Sequence, residues 1–158
     1  MSTFAPPYPP TLRVGEKALI GFIAGFIAVL LFHQPVLFLL SATGFVKAGV
    51  YSMQHTAPFG IPQVISLAFW GGLWGIAFAF VQRRFPRGSA YWLNALLFGA
   101  IFPTLVAWLV VAQLKGLPIA AGGDEHRMAT GILINGAWGI GTALFFVLLY
   151  QAQRRARR

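Results

Sequence analysis

Four windows of the sequence each run for about 18 to 23 residues without a formal charge, long enough to cross the hydrocarbon core of a bilayer as a helix. The windows are residues 18–40, 64–81, 90–112 and 128–150. Only 9% of the residues are charged and the mean hydropathy is +0.72, so most side chains need lipid rather than water around them. The sequence therefore predicts an all-α membrane protein, a four-transmembrane-helix bundle formed by residues 13–158.

The segment before the first window, residues 1–12, contains Pro6, Pro7, Pro9 and Pro10 and no periodic apolar pattern. Proline at this density favours an extended chain without a packed core, so we expect a short disordered arm in the cytoplasm. The first apolar window is too long for the hydrophobic region of a signal peptide, and no small-residue cleavage site follows it. We therefore expect this window to remain as a membrane anchor.

Lysine and arginine are unevenly divided between the two sides of the membrane that four spans define. Nine lie on the side of the termini and three on the other side. The nine are Arg13, Lys17, Arg83, Arg84, Arg87, Arg154, Arg155, Arg157 and Arg158, and the three are Lys47, Lys115 and Arg127. The positive-inside rule then predicts that both termini lie in the cytoplasm. The layout is similar to that of small four-span proteins of bacterial inner membranes, which implies a multi-pass protein of a bacterial inner (plasma) membrane. Because membrane orientation accounts for the net charge of +9, we expect no nucleic acid partner.

The link between the second and third windows, residues 82–89, is short and rich in arginine, and it predicts that these two helices form an antiparallel hairpin. The second and fourth windows share a short similarity, Gly-Leu-Trp-Gly-Ile at residues 72–76 and Gly-Ala-Trp-Gly-Ile at residues 136–140. Because both windows cross in the same direction, this similarity favours a bundle of two related helical hairpins. Tyr91 and Trp92 lie near the start of the third helix and Tyr150 near the end of the fourth, where we expect them to anchor the bundle among the lipid headgroups.

Small residues recur at helical spacing along every window, which lets helix backbones approach closely where lipid gives no hydrophobic drive for association. The glycines assigned to helix packing are Gly21, Gly25, Gly72, Gly75, Gly99, Gly131 and Gly139. We expect leucine to destabilise the bundle far more at Gly75 and Gly139 than at Gly21, because two adjacent small-residue stripes would lose close contact.

Polar side chains inside the windows mark a candidate functional layer in the outer part of the membrane. His33 and Gln34 lie about 22 Å along the first helix, and Asn135 lies about 10 Å from the outer end of the fourth. Gln63 and Gln113 lie just above this depth, at the outer ends of the second and third helices. An ionisable side chain is costly in a bilayer, so His33 is a candidate for binding a ligand or moving a proton. The alternative is structural, because a neutral histidine bonded to Asn135 or to the backbone would hold helices together.

Pro35 directly follows His33 and Gln34 and predicts a distortion of the first helix. Proline has no N–H to donate, so a carbonyl near Leu31 loses its helical partner. We expect His33 or Gln34 to supply the missing donor.

The outer loops hold a second set of polar residues that begins with Tyr51, and its candidate ligands are His55, Asp124, Glu125 and His126. Carboxylates beside imidazole suit a divalent metal, but neighbouring residues in a loop match no established metal-ligand spacing. The favoured interpretation is a solvated turn in which Asp124 or Glu125 caps the fourth helix. We therefore predict no metal site.

The sequence contains no cysteine, phosphate-binding loop, dinucleotide fingerprint or hydrolase motif, and no pair of carboxylates inside the windows. It therefore predicts no cofactor and no enzymatic activity. The leading interpretation is a non-enzymatic accessory or structural subunit in the lipid bilayer, which packs as a homo-oligomer or with a larger membrane complex. One alternative is a small oligomeric transporter or channel that uses the polar layer around His33. The other is a redox or quinone-binding subunit that uses His33 with Trp70 and Trp74.

Overall fold

The computed structural model of this chain describes residues 12–57 and 59–156. Within them, four helices are long and apolar enough to cross a membrane, namely α1 (Val14–Ala42), α2 (Gln63–Arg84), α3 (Ser89–Leu114) and α4 (Glu125–Ala156). Each predicted window lies inside one of these helices, which continue beyond it into polar residues. An all-α protein with four helices able to span a membrane is thereby confirmed. The predicted arm, apart from Leu12, lies outside the described residues.

Two of the helices contain a π turn, in which a backbone N–H donates to the carbonyl five residues earlier instead of four. The segments of α1 are Val14–Ala28, the π turn Val29–His33 and Gln34–Ala42. The segments of α3 are Ser89–Val106, the π turn Ala107–Val111 and Ala112–Leu114. The helix α2 is regular over Gln63–Val81 and ends in the 3₁₀ turn Gln82–Arg84.

The connections that follow α1 and α3 are short elements. After α1, strand β1 (His55–Thr56) pairs antiparallel with strand β2 (Ile61–Pro62), and His55 lies opposite Pro62. Between α3 and α4 lies the 3₁₀ turn Ile119–Gly123.

The backbones of α1 and α2 touch at their glycines. A Cβ atom added to Gly25 would collide with the carbonyl oxygen of Gly71, and one added to Gly75 would collide with the carbonyl oxygen of Gly21. The contacts follow the two helices in opposite directions of sequence, so α1 and α2 are antiparallel. Because Gly21 lies within this contact, the expectation that it tolerates leucine better than Gly75 is wrong.

The helices α3 and α4 pack in the same way. A Cβ atom added to Gly99 would collide with the carbonyl oxygen of Asn135, and one added to Gly139 would collide with that of Ala95. This pairing is also antiparallel. We call α1 with α2 the first helix pair and α3 with α4 the second helix pair.

Other glycines are packed to different degrees. A Cβ atom on Gly72 would lie 2.6 Å from the ring of Phe22, which is too close, whereas on Gly131 it would make an ordinary 3.5 Å contact with Trp108. Gly141 was not predicted to pack, yet it faces a phenylalanine ring of α1. The glycines of the predicted packing set therefore differ in how much volume they can accept.

The two helix pairs join on two sides of the bundle by different means. On one side, the indole N–H of Trp138 in α4 donates to the carbonyl of Gly25 in α1 at 3.0 Å. On the other side, α2 and α3 meet through aromatic rings. The ring centroids of Trp74 and Phe98 are 6.3 Å apart, and those of Phe78 and Phe98 are 5.5 Å apart.

We call the end where α1 and α3 begin and α2 and α4 end the inner end, and the opposite end the outer end. At the inner end Tyr91 is 0% exposed and Tyr150 is 1% exposed, so the expectation that these two rings anchor among lipid headgroups is wrong, whereas Trp92 is half-buried. The hydroxyl of Tyr91 lies 3.4 Å from the side-chain oxygen of Gln82, a long contact. A polar neighbour inside the protein lets the ring of Tyr91 pack in the bundle instead of at the membrane surface.

Candidate functional site

The outer part of α1 carries a buried amide whose partner comes from the loop that follows the helix. Gln34 is 1% exposed, and its side-chain oxygen accepts a hydrogen bond from the backbone N–H of Tyr51 at 2.7 Å. The hydroxyl of Tyr51 donates in turn to the carbonyl of Leu30 at 2.6 Å. Tyr51 has a φ of 47°, a left-handed conformation that costs a residue with a side chain roughly 1 kcal/mol or more. The two hydrogen bonds offset this cost and tie the loop to α1.

The π turn of α1 explains why the carbonyl of Leu30 is available to Tyr51. The amide of Gln34 donates to Val29, five residues earlier, instead of to Leu30. Pro35, five residues after Leu30, has no N–H. The distortion that Pro35 predicts thus takes the form of a π turn. The freed carbonyl lies near Leu31, as predicted, but its donor is Tyr51 and not one of the two predicted side chains.

His33 ends the π turn and is 8% exposed. Its Nδ1 atom lies 3.4 Å from the side-chain nitrogen of Gln34, beyond the usual range for a hydrogen bond to nitrogen. The side chain of Gln34 is held more firmly by Tyr51 than by His33. A role for His33 in binding a ligand or moving a proton stays a prediction.

A second polar cluster joins α3 to α4. The side-chain nitrogen of Asn135 donates to the hydroxyl oxygen of Thr104 at 2.9 Å, and that hydroxyl donates to the carbonyl of Gly131 at 3.3 Å. Thr104 is 2% exposed, so these bonds are shielded from water. Hydrogen bonds between membrane helices stabilise them by about 0.6 kcal/mol on average and by up to about 1.7 kcal/mol.

The predicted polar layer is divided between these two clusters. In the described part of the chain, the side-chain hydrogen bond of Asn135 goes to Thr104, and the nearest polar partner of His33 is on its own helix. Gln63 is exposed at the start of α2. Gln113 is also exposed, and its side-chain nitrogen donates to a carbonyl of the π turn in α3 at 2.7 Å.

The acidic residues before α4 serve the helix terminus. A side-chain oxygen of Asp124 accepts a hydrogen bond from the backbone N–H of Arg127 at 3.0 Å, three residues into the helix. The other oxygen lies 3.5 Å from Nε of Arg127. Asp124 therefore caps α4, as the favoured interpretation predicted, while Glu125 is exposed in the first helical turn.

The two histidines of the outer loops have separate partners. The ring Nδ1–H of His55 donates to the carbonyl of Gly60, within the loop that joins β1 to β2. The ring of His126 packs edge-on against Phe45, with 4.7 Å between the centroids. Among residues 12–57 and 59–156, no three His, Asp or Glu side chains are placed to share a metal ion.

Two residues central to these clusters were not assigned to them from the sequence. Thr104 directly follows Pro103 and offers a hydroxyl at the depth of Asn135, so its depth was a usable signal. Tyr51 lies in a loop without periodicity, and only the freed carbonyl of Leu30 on α1 indicates a need for it.

The chain matches no family model, no curated protein and no solved structure. Its function is therefore inferred from the packing and the hydrogen bonds described above.

Proposed function

We propose that this chain is a non-enzymatic accessory or structural subunit, which packs with further copies of itself or with a larger membrane complex. The observation that carries the proposal is the way in which buried polar groups are used. Gln34 binds the backbone of a loop, Asn135 binds α3, and the indole of Trp138 binds α1. Groups that hold helices and loops together in this way are not free to act on a substrate.

The outer surface of the bundle supports the same proposal. Large apolar side chains are exposed on every helix, among them Leu39 at 60%, Trp70 at 58%, Phe102 at 52% and Leu133 at 48%. Such a surface suits lipid tails or the helices of a membrane partner.

We infer that the protein lies in a bacterial inner membrane with both termini in the cytoplasm. The support is that nine lysines and arginines lie on the side of the termini and three on the other side. Two of the nine, Arg83 and Arg84, are exposed at the inner end. An inner end that faces the cytoplasm would place Asp124 and its cap outside.

We also infer that the two helix pairs are related by duplication. The contact of Gly25 with Gly71 in the first helix pair is equivalent to that of Gly99 with Asn135 in the second. The contact of Gly75 with Gly21 is likewise equivalent to that of Gly139 with Ala95. From α1 to α3 the residue numbers differ by 74 in both cases (99 and 25, 95 and 21). From α2 to α4 they differ by 64 (135 and 71, 139 and 75), and the same difference relates residues 72–76 to residues 136–140.

The two helix pairs differ in the contacts of their equivalent tryptophans. The indole nitrogen of Trp138 lies 3.1 Å from the place where Gly71 would carry a Cβ atom, so a side chain at Gly71 would crowd it. The residue equivalent to Gly71 is Asn135, whose side-chain nitrogen donates to Thr104. Trp74, the equivalent of Trp138, packs on Phe98.

A second candidate function is a small oligomeric transporter or channel that uses His33. It is favoured by the burial of the imidazole, 8% exposed, with only a long contact to Gln34. In a His33→Leu variant, the transporter hypothesis expects loss of the cellular activity with folding retained. The subunit hypothesis expects full activity and an unchanged or higher melting temperature.

Composition of the native assembly tests the proposal. The tagged chain is extracted from its membrane in polymer nanodiscs, and the mass of the particle and its protein content are measured. We expect either a multiple of 17.2 kDa or a partner protein in fixed ratio. The Gly139→Leu variant, which separates α3 from α4, serves as the control and should lose the partner. A single copy of the chain without companions would contradict the proposal.

A further inference from the structure

A lysine is enclosed at the inner end of the first helix pair. Lys17, in the first turns of α1, is 8% exposed although it is a charged residue. Its ammonium nitrogen lies 4.5 Å from the centroid of the Phe80 ring on α2, within the range of a cation–π interaction. The glycine contact of α1 with α2, one turn further along at Gly21, fixes this proximity.

Two more cations follow Phe80 at the same end of α2. Arg83 and Arg84 lie in the 3₁₀ turn that ends this helix, three and four residues after the ring that Lys17 contacts, and both repel Lys17 electrostatically. Glu16, the carboxylate adjacent to Lys17 in sequence, accepts a hydrogen bond from the backbone N–H of Arg13 at 3.2 Å. The ammonium of Lys17 forms no hydrogen bond or ion pair with the described residues. In the part of the chain that the structure describes, none of these three cations is paired with a carboxylate.

Such a group favours an anion, and the surroundings favour one at the membrane surface. The long stem of lysine packs along apolar helices while its ammonium reaches the headgroup level. Phe80 is 38% exposed, so an apolar face continues from the cations toward the lipid tails. A guanidinium offers two parallel donors to phosphate oxygens, and an ammonium adds a point charge. A free phosphate would gain the charges but not the apolar face.

We propose that Lys17, Arg83 and Arg84 bind the phosphate of an anionic phospholipid between the inner ends of α1 and α2. The headgroup phosphate lies between the ammonium and the guanidinium groups, and an acyl chain follows the exposed side of Phe80. The lipid thereby neutralises the repulsion among the three cations and stabilises the contact of α1 with α2. This site is independent of the subunit function proposed above.

Native mass spectrometry of the delipidated full-length protein tests the site, with phosphatidylglycerol and phosphatidylcholine added separately at equal concentration. We expect phosphatidylglycerol to be retained in preference, and Lys17→Gln to lower its occupancy about five-fold while Lys17→Arg retains it. Arg154→Gln is the matched control, because it removes one charge from α4 at the same inner end of the bundle. It should lower the occupancy of phosphatidylglycerol by less than about two-fold. The double variant Arg83→Gln/Arg84→Gln changes only exposed side chains, so it tests the site without a change in helix packing.

Several outcomes would overturn the proposal. Equal losses in Lys17→Gln and Arg154→Gln would indicate general electrostatic attraction without a site. Equal retention of the two lipids would show that the anionic charge is not recognised. Displacement of phosphatidylglycerol by inorganic phosphate alone would assign the cations to a soluble anion. If Lys17→Gln unfolds, unchanged binding in the double arginine variant would still refute the proposal.

Discussion

Replacement of Trp138 by phenylalanine tests how the two helix pairs are joined. The substitution keeps an aromatic ring at a position that is 2% exposed, but it removes the N–H that donates to Gly25 at 3.0 Å. Trp74→Phe is the matched control, because Trp74 is the equivalent residue on α2 and its indole makes no hydrogen bond with the described residues.

The expected loss of stability follows from two contributions. A hydrogen bond between membrane helices contributes about 0.6 to 1.7 kcal/mol. The carbonyl of Gly25 keeps the backbone N–H of Val29 as a second donor, so it is not left unpaired, and the loss should be near the lower value. The smaller ring leaves unfilled volume between the pairs, which costs roughly 1 kcal/mol more. We expect Trp138→Phe to cost about 2 kcal/mol and Trp74→Phe less than about 1 kcal/mol.

Reversible unfolding in mixed micelles, followed by far-ultraviolet circular dichroism, gives the free energy of unfolding without relying on tryptophan fluorescence. Both variants are compared with the unsubstituted chain under one detergent composition. An equal cost at the two positions would refute the assignment of the hydrogen bond to one side of the bundle.

Three further predictions concern the other contacts. Gly21→Leu should lower the free energy of unfolding by at least about 2 kcal/mol, because the added side chain meets the backbone of α2. Gly15→Leu faces open space and should change this free energy little, so similar values for the two variants would contradict the packing. Tyr51→Phe should lower the free energy of unfolding by about 1 kcal/mol and increase proteolysis of the loop after α1, since the Leu30 carbonyl loses its donor. Unchanged resistance of this loop to protease would show that the hydroxyl is dispensable. A double-mutant cycle of Asn135→Ala with Thr104→Val should yield a coupling of about 0.6 to 1.7 kcal/mol, and a coupling near zero would exclude the bond as a helix contact.

The helices were predictable because the membrane imposes their length. A window without charges that is long enough to span the membrane must satisfy its own backbone hydrogen bonds in lipid, and a helix does so. Each window accordingly lies within a helix. The glycines of α2 and α4 were also predictable from spacing. The error at Gly21 arose because spacing alone does not say which stripe faces which, and α1 presents its glycines to α2 directly.

The candidate site was harder to predict because its partners come from outside the periodic segments. Pro35 indicated a distorted helix and a freed carbonyl near Leu31, but the donor to that carbonyl is a loop tyrosine. Depth along a straight helix placed His33 and Asn135 together. Their hydrogen-bond partners depend on helix pairing, which assigns Asn135 to α3.

Labelling of single cysteines tests the four-span arrangement, on which every other inference depends. The chain has no native cysteine, so each introduced thiol reports one position. Ser89 is exposed at the inner end and Leu117 is 58% exposed in the outer connection, whereas Gly123 is unsuitable because its φ of 79° would strain a side chain. In intact cells, a membrane-impermeant maleimide should label Leu117→Cys at once and Ser89→Cys only after the membrane is permeabilised. Labelling of both cysteines in intact cells would contradict the account.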